Sequence, residues 1–265
     1  MKTQYYVHIL MLFYSVSTCF AQTKENTEEK IVDLTYPFDS LTIFWPTEKG
    51  FQLDVRFKGT TEKGYFYSAN TFCTAEHGGT HMDAPIHFSR HGNSVDQIPL
   101  DRLISQGIVI DVSDKCLENR DYKVVIDDLK NWEKDNGEIP ANSIVLLKTG
   151  FGKFWPDRIK YMGTDERGEG AVAKLHFPGL HPDAAEWLVT NRNIKAVGIE
   201  SPSIDYGQSQ LFETHVFLAK NNVPILENVA NLEKLPLKGF TVIALPIKIK
   251  GGSGGPTRII AIINQ

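Results

Sequence analysis

Four short runs of apolar residues, Ile108–Val112, Ile144–Leu147, Ala196–Ile199 and Thr241–Leu245, constrain the fold more than any other feature. Their length and continuity predict strands buried on both faces. Helical signals lie between them. Val125 to Asn136 carries Leu129 and Trp132 and stops before Gly137. His181-Pro182-Asp183 opens a second helix with proline in its first turn, turns Ala185, Leu188 and Val189 inward and closes at Asn191. Ser209 to Asn222 gives a third, ending before Pro224. Earlier, Phe51, Leu53, Val55 and Phe57 alternate with Gln52, Asp54, Arg56 and Lys58, the period of a half-buried strand, and Tyr65 to Thr74 continues in the same manner. The first third therefore reads as antiparallel, and the whole as a β-rich α/β single domain rather than a doubly wound one. No G-x-G-x-x-G follows a strand, so a dinucleotide-binding fold lacks its fingerprint.

The 265 residues, 42% of them hydrophobic, suffice for one substantial core, and nothing demands a second domain. A net charge of -4 with no basic stripe leaves out the electrostatic footprint of a nucleic-acid binder. At the N-terminus Lys2 precedes an apolar run from Tyr5 to Phe20, and Ala21 precedes the polar stretch Gln22 to Lys30. This reads as a signal peptide over residues 1–21, then a leader over 22–30 and the folded domain over 31–265, hence a secreted or extracytoplasmic protein. The run is shorter than the roughly 20 residues of a spanning helix, so stable membrane insertion is not expected. Once Cys19 leaves with the signal, Cys73 and Cys116 make no disulfide framework and read as plain buried thiols.

The chemistry concentrates in His77-Gly78-Gly79-Thr80-His81-Met82-Asp83-Ala84-Pro85-Ile86-His87. A helix is excluded by the two glycines and Pro85. A straight strand is excluded too, because ten steps of about 3.3 Å would spread the groups over roughly 33 Å. The chain must fold back at the glycines and the proline. That is what a metal loop requires, since imidazole nitrogens and a carboxylate oxygen must come within about 2.0–2.2 Å of one ion.

The pattern H-x-G-T-H-x-D-x-P-x-H resembles the cyclase family of metal hydrolases, which includes the bacterial-type kynurenine formamidases and the isatin hydrolases. Pro178-Gly179-Leu180, Gly198-Ile199 with Ser203-Ile204-Asp205, and Ile225-Leu226-Glu227-Asn228 look like further blocks in the family's order, so the resemblance spans about residues 30–265. It implies a swivelling β/β/α fold, a mixed sheet or barrel with peripheral helices. It implies that His77, His81 and Asp83 bind metal, that His87 is an acid/base or a further ligand, and that His215 and Glu227 complete a second site bridged by the aspartate. The expected cofactor is Zn²⁺ or Mn²⁺, one or two per chain. Such an ion acidifies water towards roughly pH 7 and polarises a carbonyl, and His87 would carry the proton. Asp205 reads as the carboxylate that orients a ligating imidazole. Phe44, Trp45 and Phe72 are candidates for an aromatic wall, and Arg258 stays undecided.

The resemblance implies hydrolysis of an aryl amide, with N-formylkynurenine deformylation first and opening of a cyclic aryl lactam such as isatin second. The expected partner is that small molecule, together with a second copy of the chain in a homo-oligomer, a homodimer foremost. Gly251-Gly252-Ser253-Gly254-Gly255 formally fits the G-x-S-x-G nucleophile elbow, but no Asp, Glu or His follows Ser253 and no helix follows the loop, so a serine hydrolase is rejected. The loop reads instead as lying near the site or at a subunit contact. A secreted metal-containing binding protein without turnover is the competing class, and its mark would be a missing ligand or a missing His87. Neither is missing.

Overall fold

The computed structural model describes residues 30–263, so the expected signal peptide and nearly all of the leader, Cys19 and Ala21 included, lie outside the described residues. Twelve strands occur in chain order: β1 Lys30–Asp33, β2 Gln52–Thr60, β3 Phe66–Cys73, β4 His81–Asp83, β5 Ile104–Asp111, β6 Lys123–Val124, β7 Ile144–Lys148, β8 Gly179–Leu180, β9 Ala196–Ile199, β10 Ile225–Glu227, β11 Phe240–Pro246 and β12 Gly254–Ile263. Seven of them close a barrel in the order β12-β11-β5-β7-β9-β10-β4, with β4 pairing back onto β12 and β1 continuing along β12's free edge. Within the barrel the strands from β5 through β7 and β9 to β10 run parallel, and its remaining pairs are antiparallel. The barrel is therefore mixed, with helices outside it, as the sequence leads one to expect.

The parallel strands explain the continuous apolar runs. Ile108, Ile110, Val145, Leu147, Val197 and Ile199 point outward into a core shared with the helices. Val109, Ile144, Leu146 and Ala196 point inward, to meet Leu226, Val242, Ile259 and Ala261 in the barrel. Both side-chain sets of one strand are thus buried. Thr241–Leu245 departs from this expectation. Val242 and Ala244 face the barrel interior, while Thr241 and Ile243 are only half-buried and Leu245 is exposed, because none of the longer described helices covers that outer face.

The helices of eight residues or more are Ile126–Asn136, Pro182–Arg192 and Glu213–Lys220. Pro182 occupies the first turn and His181 caps it by accepting the Asp183 amide (3.2 Å). The stop falls at Asn193, which takes the left-handed conformation (φ 48°), rather than at Asn191. Helix Glu213–Lys220 is shorter than Ser209–Asn222 because Phe212, just ahead of it, also sits in the left-handed region (φ 48°).

Strands β2 and β3 form the expected antiparallel pair, but they pair only with each other, and β2 is exposed on both faces. The alternation reads as half-buried, yet no described element packs over Leu53 or Val55, which are 54% and 60% exposed. Cys116 is a buried thiol as expected, whereas Cys73, at the end of this hairpin, is exposed. Among the described residues no helix is long and apolar enough to cross a membrane.

Candidate metal centre

The site is built where β4 is clamped between β10 and β12. Register places His81 opposite Glu227 on one side and Pro256 on the other, and Asp83 opposite Ile225 and Gly254. Alternation along β4 then sends His81 and Asp83 to one face and Met82 to the barrel core. The turn before β4 uses both glycines. Gly79 adopts a left-handed conformation (φ 56°), and a Cβ on Gly78 would stand 2.0 Å from the Phe44 ring. After β4, Pro85 opens a single turn of 3-10 helix that ends on His87. The segment folds back on itself, as the glycines and proline require.

Five side chains converge. His77 Nδ1 lies 2.6 Å from Asp83 Oδ1, and His81 Nε2 lies 3.1 Å from the same oxygen. His215 Nε2, from helix Glu213–Lys220, is 3.1 Å from both Asp83 Oδ2 and Glu227 Oε1. Glu227 Oε2 is 3.5 Å from His81 Nε2. His77, Asp83 and His87 offer donor atoms within 4.8 Å of one another, and so do His81, Asp83 and Glu227. The His87 ring is stacked on His77 at 3.8 Å.

These residues fit a divalent cation. Asp83 and Glu227 are 3% and 5% exposed, and bringing two carboxylates together in a dry site is costly unless positive charge lies between them. His81 Nε2 is buried and, among the described residues, has no aligned hydrogen-bond partner, its approach to Asp83 being close but off axis. The opposite nitrogens explain why. His81 Nδ1 donates to the Gly79 carbonyl (2.9 Å) and His215 Nδ1 donates to Asp205 (2.6 Å), so both rings turn an Nε2 lone pair into the site. Asp205 also accepts the His215 and Thr214 amides, which fixes the start of that helix.

The charges follow from burial and neighbours. Asp83 pays for its burial, but the facing histidines hold its carboxyl well below the usual range. His215 is likewise disfavoured as a cation by burial, but its hydrogen bonds to Asp205, Asp83 and Glu227 hold it well above the ordinary imidazole value. That is the behaviour of a nitrogen in a cation-seeking position. His87 differs: burial dominates, Asp83 opposes it, the neighbouring histidines add to it, and its pKa drops to about 4. It stands as a neutral imidazole.

Above these groups lies a cavity of about 240 Å³, bounded by Phe44, Trp45, Phe88, Met162, Phe212 and Ser203 as well as the ligand set. Phe44 and Trp45 line it. Phe72 does not: it lies on the exposed hairpin, 59% exposed and against Phe51, because β3 pairs only with β2 and not with the barrel. Phe88 and Phe212 take the place expected for it, packed on each other and against His215. Both could have been found in the sequence, one beside His87 and the other one helical turn before His215. The 251–255 loop does lie near the site, with Ser253 Oγ 2.9 Å from His77 Nε2, and Glu76, which no sequence signal marks, accepts from the same hydroxyl. Arg258 is settled as a surface partner of Asp33 (2.7 Å).

A family model described as "Putative cyclase" matches residues 32–206. The isatin hydrolase of Roseibium aggregatum is 35% identical over 208 residues, covering 76% of each chain. A kynurenine formamidase of Bacillus cereus is 26% identical over 232 residues, covering 86% of this chain and 95% of its own. In three dimensions, an isatin hydrolase solved with the product analogue thioisatinate superposes with a TM-score of 0.80 at 30% identity, covering 90% of this chain and 94% of that one.

Proposed function

The chain belongs to the Cyclase family, and from that premise we propose that it is a metal-dependent hydrolase that opens the amide of a small, uncharged aryl substrate, a cyclic amide of the isatin class. The observation that carries this reading is a five-residue His/carboxylate set at the base of a small aromatic cavity that no Lys or Arg lines among the described residues.

His81 and His215 through Nε2, Asp83, Glu227 and His77 would hold the ion. A divalent ion in such a set lowers the pKa of water towards neutrality and polarises a carbonyl. The chain's own residues supply the rest. Phe44, Trp45, Phe88 and Phe212 present ring faces and edges that would sandwich a planar aryl group and keep bulk water from it. His87, neutral and stacked on His77, accepts the proton of the attacking water and returns it to the departing nitrogen. Asp205 keeps the His215 ring in the required tautomer.

The size and charge of the cavity favour isatin over N-formylkynurenine. About 240 Å³ is below the roughly 300–1,000 Å³ of drug-sized pockets. An amino-acid carboxylate brought into it would find no Lys or Arg side chain among the described lining residues. Arylformamidase activity is the second reading, supported by the longer span matched to the Bacillus cereus formamidase and by Glu48 in the cavity wall, which could receive an ammonium group. A kinetic panel of isatin, N-formylkynurenine and a simple aryl ester, with Zn²⁺, Mn²⁺ or chelator, tests the order. A kcat/KM for isatin at least tenfold above the others is expected. A preference for N-formylkynurenine would replace the first reading with the second, and binding without turnover of any of them would make the protein a metal-containing binding protein.

A further inference from the structure

The glycine-rich loop 251–255 has no role in the reading above, yet it reaches the metal centre. Gly254 opens β12 opposite Asp83, and the Ser253 carbonyl accepts the Ala84 amide (2.8 Å), which brings Ser253 to the edge of β4. There its Oγ lies 2.5 Å from Glu76 Oε2 and 2.9 Å from His77 Nε2, while its amide donates to the same Glu76 oxygen (2.9 Å). The flanking glycines are needed for room. A Cβ on Gly252 would stand 2.8 Å from Glu76 Oε1, and one on Gly254 would stand 2.6 Å from His77 Cε1. The loop is shaped around the Glu76–Ser253–His77 chain.

Counting protons fixes the direction of that chain. A serine hydroxyl has one hydrogen, and an ionised carboxylate can only accept. The Ser253 proton therefore goes to Glu76, and Ser253 Oγ must accept from His77 Nε2–H. A neutral His77, the form that binds a metal, then carries its proton on Nε2 and turns a bare Nδ1 towards Asp83 Oδ1, 2.6 Å away. Two acceptors at that distance repel one another unless a cation lies beside both. His81 and His215 are arranged the opposite way, with Nδ1 occupied and Nε2 facing the site.

We propose that Ser253, itself anchored by Glu76, is a positioning residue that locks His77 in the Nε2–H tautomer, so that His77 presents Nδ1 to the metal where His81 and His215 present Nε2. This rests on the metal-dependent reading of the site. The carbonyl or carboxylate partner of a ligating imidazole is here replaced by a hydroxyl relay to a carboxylate on the adjacent residue.

The test combines zinc affinity, measured by chelator competition, with long-range ¹H–¹⁵N spectra of the zinc-loaded, histidine-labelled protein. The parent should show His77 with a protonated Nε2 and a metal-shifted Nδ1, a result that needs no variant to fold. Ser253→Ala and Glu76→Ala should each weaken zinc binding by about 10- to 100-fold. The double variant should be no weaker than Ser253→Ala, because both act through one chain, and Ser253→Thr should restore most of the affinity. Thermal midpoints of the metal-free variants separate this loss from misfolding. A His77 ligated through Nε2, or a Ser253→Ala protein that binds zinc as tightly as a zinc-binding parent, overturns the inference alone. A parent that binds no zinc or manganese overturns the reading beneath it as well.

Discussion

Glu200 should make the protein lose stability between weakly acidic and weakly alkaline pH. It follows β9, is 2% exposed, and its Oε2 accepts the amides of Thr149 (2.8 Å) and Gly150 (2.7 Å) at the end of β7. Burial pushes its pKa up from 4.5 to about 7, against the opposing pull of those two amides, with Glu233 adding to the rise. A carboxyl with a raised folded-state pKa favours folding fully below its unfolded value of 4.5, and that contribution disappears as pH rises through about 7. At about 1.36 kcal/mol per pH unit the difference comes to about 3 kcal/mol. Glu200→Gln keeps an acceptor for the two amides and cannot ionise, so it should not suffer this loss. Its stability relative to the parent should therefore climb by about 3 kcal/mol between pH 4.5 and 8.5, or roughly 6–12 °C in thermal midpoint for a chain of this size. Comparing the two proteins at each pH and the same metal loading cancels whatever pH dependence the metal brings. A gap that stays flat across that range would refute the argument.

The other expectations concern the site. His87→Ala should retain its metal while kcat falls by about 10² to 10⁴, the usual cost of a lost acid/base; metal content falling in step with activity would make His87 a ligand instead. Asp205→Asn, which keeps an acceptor oxygen at the Thr214 and His215 amides but removes the charge that holds the His215 ring, should weaken metal binding by about 10- to 100-fold, and unchanged affinity by competition titration would contradict that. Gly78→Ala should destabilise the protein by more than about 2 kcal/mol in chemical denaturation, because its Cβ would overlap the Phe44 ring, itself 1% exposed. A midpoint equal to the parent's would mean the β4 turn can yield.

What the sequence makes legible is what one stretch of chain decides. Gly78, Gly79 and Pro85 force His77, His81, Asp83 and His87 to fold back whatever surrounds them, and the apolar runs at 108–112, 144–147 and 196–199 can only be strands covered on both sides. The misreadings arise where a distant element decides. Leu53 and Val55 alternate like residues over a core, but no element among the described residues covers them, and Phe72 is carried off with the same hairpin. Thr241–Leu245 looks like its parallel neighbours, yet it lies on the barrel side that the helices leave bare. The contact of Ser253 with Glu76 and His77 depends on the register of β12 against β4, which no local pattern encodes. Phe212 and Phe88 needed only one more step of reasoning, from a ligand to its neighbours on the same helix or turn.

Dependence of catalysis on a metal held by this His/carboxylate set can be measured by returning metal to chelated protein while following isatin ring opening. Activity should be negligible without metal and recover in proportion to the ion bound at this site. His81→Ala, which deletes the buried Nε2 that has no aligned partner among the described residues, should neither retain the ion at the parent's affinity nor recover under the same titration. Undiminished turnover in the metal-free protein, or full metal content and activity in His81→Ala, would contradict that dependence.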